Sequence, residues 1–121
     1  MPDKKILIVD DSPAQIKMMG DLLEHEGYQP VGLSDPHKVE ETISTEKPNI
    51  ILLDVVMPDR NGFQLCRELK ARAEFSSIPL ILVSSKSSES DRFWGHQMGA
   101  DGYIAKPFTR EELIRAIRRF A

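Results

Sequence analysis

The sequence predicts a doubly wound α/β domain, a parallel sheet with helices packed on both faces. Three observations carry that prediction. Short apolar runs alternate with helical patterns along the chain, and five such alternations fit within 121 residues. The run Ile50-Ile51-Leu52-Leu53 is continuously apolar instead of alternating, as in a strand covered on both sides. The notable polar groups, Asp10, Asp11, Asp54, Ser84 and Lys106, all stand where an apolar run stops, the edge at which open α/β sheets bind ligands.

The elements follow in order. Lys5 to Val9 is a strand ending in two acids, the same plan as Ile50 to Asp54. Ser12-Pro13-Ala14-Gln15 starts a helix, with Ser12 as N-cap, Pro13 at the first helical position and Gln15 reaching back as in a capping box. Ile16, Met19, Leu22 and Leu23 recur at helical spacing until Gly27 stops the helix. Tyr28 to Leu33 is a short strand. Asp35-Pro36 opens a second helix that turns Val39 and Ile43 inward and closes before Pro48.

The loop after Asp54 is broken by Pro58 and Gly62, and Gly62 to Ala73 places Leu65, Cys66 and Leu69 on one helical face. Ile78 to Val83 is a strand with Pro79 at its entrance and Ser84 just past its end. The serine-rich stretch Ser84 to Ser90 reads as a loop plus an N-cap for a helix from about Ser88 to Met98. That helix has a poor apolar stripe, chiefly Phe93 and Met98, and is expected to be loosely held. Gly102 to Ala105 is a last strand before Lys106-Pro107. Thr109-Arg110-Glu111-Glu112 is a capping box for a final helix whose Leu113, Ile117 and Phe120 face the core.

Length and composition set limits. A chain of this length, 40% hydrophobic, is one domain with a full core. Its net charge of −3 argues against a dedicated nucleic-acid or anionic-membrane surface. The single cysteine, Cys66, leaves no internal disulfide and reads as a packed core thiol. No N-terminal apolar run is long enough for a signal peptide or membrane span, so a cytoplasmic protein is expected. His25, His37 and His96 have no spacing for a shared metal site and belong on helix surfaces or loops.

The polar edge has a chemistry of its own. Three carboxylates brought together raise one another's pKa, and such a cluster is stable mainly around a cation. Oxygen-only ligands without nearby His or Cys suit Mg²⁺, which keeps waters and shares its shell with phosphate. Lys106 is placed to pair with phosphoryl oxygens, and Ser84 to donate its hydroxyl. A carboxylate nucleophile, a metal and two groups for the migrating charge are the parts needed to form an aspartyl phosphate by in-line transfer.

At Val9-Asp10-Asp11-Ser12, Asp54-Val-Val-Met-Pro-Asp-Arg-Asn-Gly62, Val83-Ser84-Ser85 and Gly99-Ala-Asp-Gly-Tyr-Ile-Ala-Lys-Pro-Phe108, the chain resembles the receiver domains of two-component response regulators. The resemblance covers essentially residues 1–121 as one receiver domain without an output domain. It implies a flavodoxin-like five-stranded sheet of order 2-1-3-4-5 flanked by five helices. It implies Asp54 as phosphoacceptor, Asp11 and Asp54 as direct Mg²⁺ ligands, Asp10 acting through metal-bound water, and the backbone carbonyl of Val56 completing the set. Lys106 would contact the phosphoryl group, and its bond to Pro107 would be cis.

Ser84 and Tyr103 would form a switch pair, Tyr103 turning inward as phosphate draws the Ser84 hydroxyl. The implied donor is a histidine kinase. The implied output is contact of the fourth helix, fifth strand and fifth helix with a downstream protein, without direct nucleic-acid binding or membrane insertion, by a monomer or weak dimer. Such a protein is not an enzyme, although it takes part in its own phosphorylation. Val56 and Lys86 occupy the positions that flank the water attacking the phosphoryl group, and neither offers a carboxylate or amide, so self-dephosphorylation is expected to be slow. Ser85 and the Asp91-Arg-Phe-Trp-Gly95 segment are similar to single-domain receivers of twitching-motility and chemotaxis-like pathways.

Other readings stay open beside it: a phosphate sink, a phosphorylation-independent scaffold, and, with less support, a small aspartyl-phosphate phosphohydrolase, which would want a general acid where Val56 stands. A flavodoxin-like redox role lacks a phosphate-binding loop after the first strand. Trp94 is either an exposed anchor for a partner or a ring lying flat on its helix. Arg115, Arg118 and Arg119 complement the dipole of the last helix and offer steering for an acidic partner.

Overall fold

The computed structural model describes residues 4–121. Five strands alternate with five helices: β1 (Lys5–Val9), α1 (Pro13–His25), β2 (Gln29–Leu33), α2 (Val39–Glu46), β3 (Ile50–Asp54), α3 (Gly62–Ala71), β4 (Leu80–Ser84), α4 (Glu89–Gln97), β5 (Gly102–Ala105) and α5 (Arg110–Arg118). All pairings are parallel and the order is β2-β1-β3-β4-β5, as expected. Reversal of strand order between β1 and β3 opens the crevice in which the polar edge lies.

The core divides by strand parity. Leu7 and Val9, Ile51 and Leu53, and Leu80 and Leu82 point to one face, where they meet Val39 and Ile43 of α2 and Leu65, Cys66 and Leu69 of α3. Ile6 and Ile8, Ile50 and Leu52, and Ile81 and Val83 point to the other, against Met19 and Leu23 of α1 and Leu113, Ile114 and Ile117 of α5. This two-sided burial is why β1, β3 and β4 read as unbroken apolar runs.

Local signals set most boundaries. The Ser12 hydroxyl accepts the Gln15 amide at 3.3 Å, but the return bond from the Gln15 side chain is not formed among the described residues. Gly27, at φ +89°, ends α1 in a conformation that side chains resist. Pro36–Lys38 forms a 3₁₀ turn capped by Asp35 before α2 begins, and the left-handed Lys47 closes α2 ahead of Pro48. Both Ser88–Asp91 and Thr109–Glu112 form reciprocal capping boxes.

Phe120 packs half-buried against the core, as expected, and Ile114 is buried beside Leu113 and Ile117. Two expectations are corrected. Ser84 is the last residue of β4 and lies fully buried, while Pro79 stays outside the strand. Phe93 does not face inward: it is 64% exposed, Trp94 is 50% exposed, and the buried residue of α4 is Gly95. A Cβ on Gly95 would stand 2.9 Å from Leu82 Cδ1 and 3.0 Å from the Tyr103 ring. The helix therefore rests on the sheet by its glycine, and Phe93, two residues earlier, is rotated to the far side.

Candidate functional site

The C-terminal ends of β1, β3 and β5 carry the site. Asp10 follows β1 directly; its amide donates to the Leu33 carbonyl at 3.2 Å, and its carboxylate accepts the Ser12 amide at 2.9 Å. These bonds hold a carboxylate that is 1% exposed. Asp11 beside it is exposed. Asp54 ends β3 and is 7% exposed. Asp10, Asp11 and Asp54 each offer a carboxylate oxygen within 4.8 Å of the others, and among the described residues no other such group of His, Cys, Asp or Glu forms.

Lys106 enters from the end of β5, where its backbone amide donates to the Ser84 carbonyl at 2.9 Å. Its Nζ donates to Asp10 Oδ2 at 3.0 Å and lies 3.6 Å from Asp54 Oδ1. The Lys106–Pro107 peptide is cis. One ammonium among three carboxylates leaves the cluster short of positive charge. Burial first, and then the charge of Asp10, push the Asp54 carboxyl up to about 6, against the opposing pull of Lys106 and the Val56 backbone amide. Desolvation thus outweighs the mutual repulsion emphasised by the sequence.

The donor set fits the expected ion. It is all carboxylate oxygen, partly buried at Asp10 and Asp54 and open to solvent at Asp11, which suits a hard cation that keeps water in its shell. The Val56 side chain is 56% exposed, so its contribution to Asp54 comes through the main chain.

Ser84 and Tyr103 share a neighbour. The Ser84 Oγ accepts the Lys86 amide at 3.1 Å, and the Tyr103 hydroxyl donates to the Lys86 carbonyl. Both proposed switch residues therefore grip one residue of the β4–α4 loop. The Tyr103 ring is half-buried beside Gly95, with the Arg92 guanidinium 5.5 Å from its centroid.

Some contributors were not singled out by the sequence. Gly62 is more than a loop breaker: a Cβ there would fall 2.2 Å from the Asp54 carbonyl oxygen, so only glycine lets the start of α3 press against the strand end. Arg60 ties the β3–α3 loop down, donating to the Pro36 carbonyl at 2.8 Å and pairing with Glu40 and Glu68. The spacing of Gly62 after Asp54 was visible; the partners of Arg60 lie too far away in sequence to be.

Comparison with known proteins bears on the family and the fold. Residues 6–118 match the family model described as the response regulator receiver domain. Protein PilH of Pseudomonas aeruginosa is 41% identical over 113 residues, 93% of each chain. The chemotaxis protein CheY4 of Vibrio cholerae superposes with a TM-score of 0.91 at 25% identity, covering 99% of this chain and 100% of that one. The BeF3-activated N-terminal receiver domain of RstA from Klebsiella pneumoniae does so at 0.90 and 29% identity, covering 97% of both.

Proposed function

The chain belongs to the response regulator receiver family of two-component signalling, and from that premise we propose that it is a phosphorylation switch in which Asp54 accepts a phosphoryl group from a histidine kinase. The observation that carries the reading is the convergence of Asp10, Asp11 and Asp54 around one point, with Lys106 reaching in from the end of β5. Asp10 and Asp11 with Asp54, completed by the Val56 carbonyl, would hold Mg²⁺. When bound, that ion neutralises charge on the transferring phosphoryl oxygens and on the carboxylates.

The chain's own residues supply the rest. Asp54 attacks phosphorus as its carboxylate, the bond from phosphorus to the kinase histidine breaks, and the imidazole leaves. Lys106, already between Asp10 and Asp54, follows the charge onto the phosphoryl oxygens. The Ser84 hydroxyl donates to the same oxygens while still accepting the Lys86 amide. A shift of Ser84 is thus passed to Lys86 and, through the Lys86 carbonyl, to Tyr103 at the α4–β5–α5 face. That face then binds a downstream protein.

The protein works by this change of surface and not by turnover, and it acts in the cytoplasm. The sequence of α4 and the 41% identity to PilH support a place in twitching-motility signalling.

The test is intact mass after incubation with acetyl phosphate. One added phosphoryl group is expected on the wild type with Mg²⁺, and none on Asp54→Ala or with chelator. If folded wild-type protein gains no phosphoryl group from acetyl phosphate or from a competent kinase, the reading fails and a scaffold role replaces it.

A further inference from the structure

We propose that Arg60 is a positioning residue for metal binding: its guanidinium clamps the β3–α3 loop onto α2 and so holds the Val56 carbonyl ready for Mg²⁺. The inference rests on the reading of Asp54 as phosphoacceptor with Val56 as a main-chain ligand, and adds the side chain that keeps that ligand in place.

The loop covers residues 55–61, between the Asp54 that ends β3 and the Gly62 that opens α3. Two main-chain bonds close it, from the Gly62 amide to the Val55 carbonyl and from the Arg60 amide to the Pro58 carbonyl, both 2.8 Å. Neither uses the Val56 carbonyl. Asp59 takes φ +67°, the left-handed region that residues with a side chain enter at a cost. A loop holding such a residue keeps one shape only where its surroundings over-determine it.

Arg60 supplies that restraint. Its Nη1 donates to the Pro36 carbonyl at 2.8 Å and to Glu40 Oε1 at 3.0 Å, and its Nη2 donates to the other Glu40 oxygen and to Glu68 Oε1 at 3.0 Å. Two parallel bonds to one carboxylate are a fork that a guanidinium provides and an ammonium does not. The Arg60 side chain is only 20% exposed, and it holds the Glu40 carboxyl below the usual range, so the pair stays ionised and partly shielded. The other tie to the α2 side, His37 Nε2 at 3.7 Å from Asp59 Oδ2, joins two exposed side chains and is weaker. No partner of Arg60 belongs to the carboxylate cluster, so its influence there runs through the loop.

A carbonyl already in position adds no ordering cost when the ion binds. Removing groups that orient metal ligands weakens affinity about 10- to 100-fold. Charge alone predicts the opposite sign, since deleting a cation near three carboxylates would tighten binding of Mg²⁺. The direction of the change therefore separates positioning from electrostatics.

Calorimetric titration of Mg²⁺ into the unphosphorylated protein gives the dissociation constant, and intact mass with acetyl phosphate gives the phosphorylation rate across Mg²⁺ concentrations. Arg60→Ala is expected to weaken Mg²⁺ binding about tenfold or more and to raise the half-saturating Mg²⁺ concentration equally, while the rate at saturating Mg²⁺ stays within about threefold. Arg60→Lys keeps the charge without the fork and should weaken binding about threefold. Glu40→Ala should weaken it about fivefold or more, and adding it to Arg60→Ala should change the constant by less than about twofold, because the pair acts as one unit. Ile117→Val trims the core on the opposite face of the sheet and should lower stability while leaving the constant within about twofold.

Unchanged or tighter Mg²⁺ binding by folded Arg60→Ala overturns the proposal and leaves the switch reading standing. So does equal weakening by Ile117→Val, which would trace the effect to global stability, or full additivity of the Arg60→Ala and Glu40→Ala losses. If Arg60→Ala does not fold, Arg60→Lys and Glu40→Ala decide by the same criteria. Wild-type protein that neither binds Mg²⁺ nor gains a phosphoryl group overturns the switch reading, and this inference with it.

Discussion

Lys106 donates to Asp10 at 3.0 Å and stands farther, at 3.6 Å, from Asp54, so its nearest partner is the inner aspartate, 96 residues away in sequence. Asp10 has a side chain only 2% exposed. Removing the ammonium leaves buried negative charge without its compensation. Lys106→Met is therefore expected to lower stability at neutral pH by about 1–3 kcal/mol in chelator, with added Mg²⁺ restoring much of the loss. Urea denaturation measures it, and an unchanged midpoint in chelator would show that solvent already screens the cluster.

Asp54 gives a pH dependence of definite sign. Its carboxyl ionises near 3.8 when free and near 6 in the folded protein, so the folded state holds its proton more tightly. That stabilisation is complete below about 3.8 and is lost as pH rises through 6. Asp54→Asn lacks the penalty. In chelator the variant should match the wild type in acid and exceed it at neutral pH by roughly 1–3 kcal/mol. Paired urea melts on either side of this window check it; a variant less stable than wild type at neutral pH would contradict it.

Two glycines make a contrast. A Cβ at Gly62 would collide with backbone at 2.2 Å and 2.6 Å, and those atoms belong to Asp54 and Val55. Gly62→Ala should cost more than about 2 kcal/mol and slow phosphorylation, despite better helix propensity. Gly20, inside α1, has its nearest neighbour at 3.7 Å. Gly20→Ala should stabilise by about 0.5–1 kcal/mol. Thermal melts of both variants decide, and the same sign at both sites would refute the steric account.

Val56 bears on lifetime. Its side chain is exposed two residues after Asp54 and has no group to orient water. The phosphorylated protein should persist for minutes or longer without a phosphatase, and Val56→Asn should shorten that by about tenfold. Decay of the phosphorylated mass with time gives both numbers. A wild-type half-life of seconds would rule the explanation out.

Legibility followed the reach of each interaction. The run Ile50 to Asp54 was readable to the residue, because burial on both faces leaves no polar alternation and a charge must mark its end. The capping box at Thr109 and Glu112 was readable because both partners lie within one turn. The carboxylate cluster was inferable from polar residues ending successive strands, a consequence of topology. The orientation of α4 was not. Hydropathy ranks Phe93 above Gly95, yet close packing on Leu82 and Tyr103 selects the residue with no side chain. The preference of Lys106 for Asp10 was likewise invisible, since it depends on how far the Asp10 side chain is withdrawn from water.

The Arg60 contacts have a mechanical meaning. Through Pro36, Glu40 and Glu68 they fasten the loop after Asp54 to α2 and α3, on one side of the site. On the other side, α4 buries only Gly95 against the sheet, and Lys86 of the loop before it is bonded to Ser84 and Tyr103. The molecule thus has a stator and a rotor. A displacement starting at Asp54 would meet a tied wall toward α2 and a less tied one toward α4.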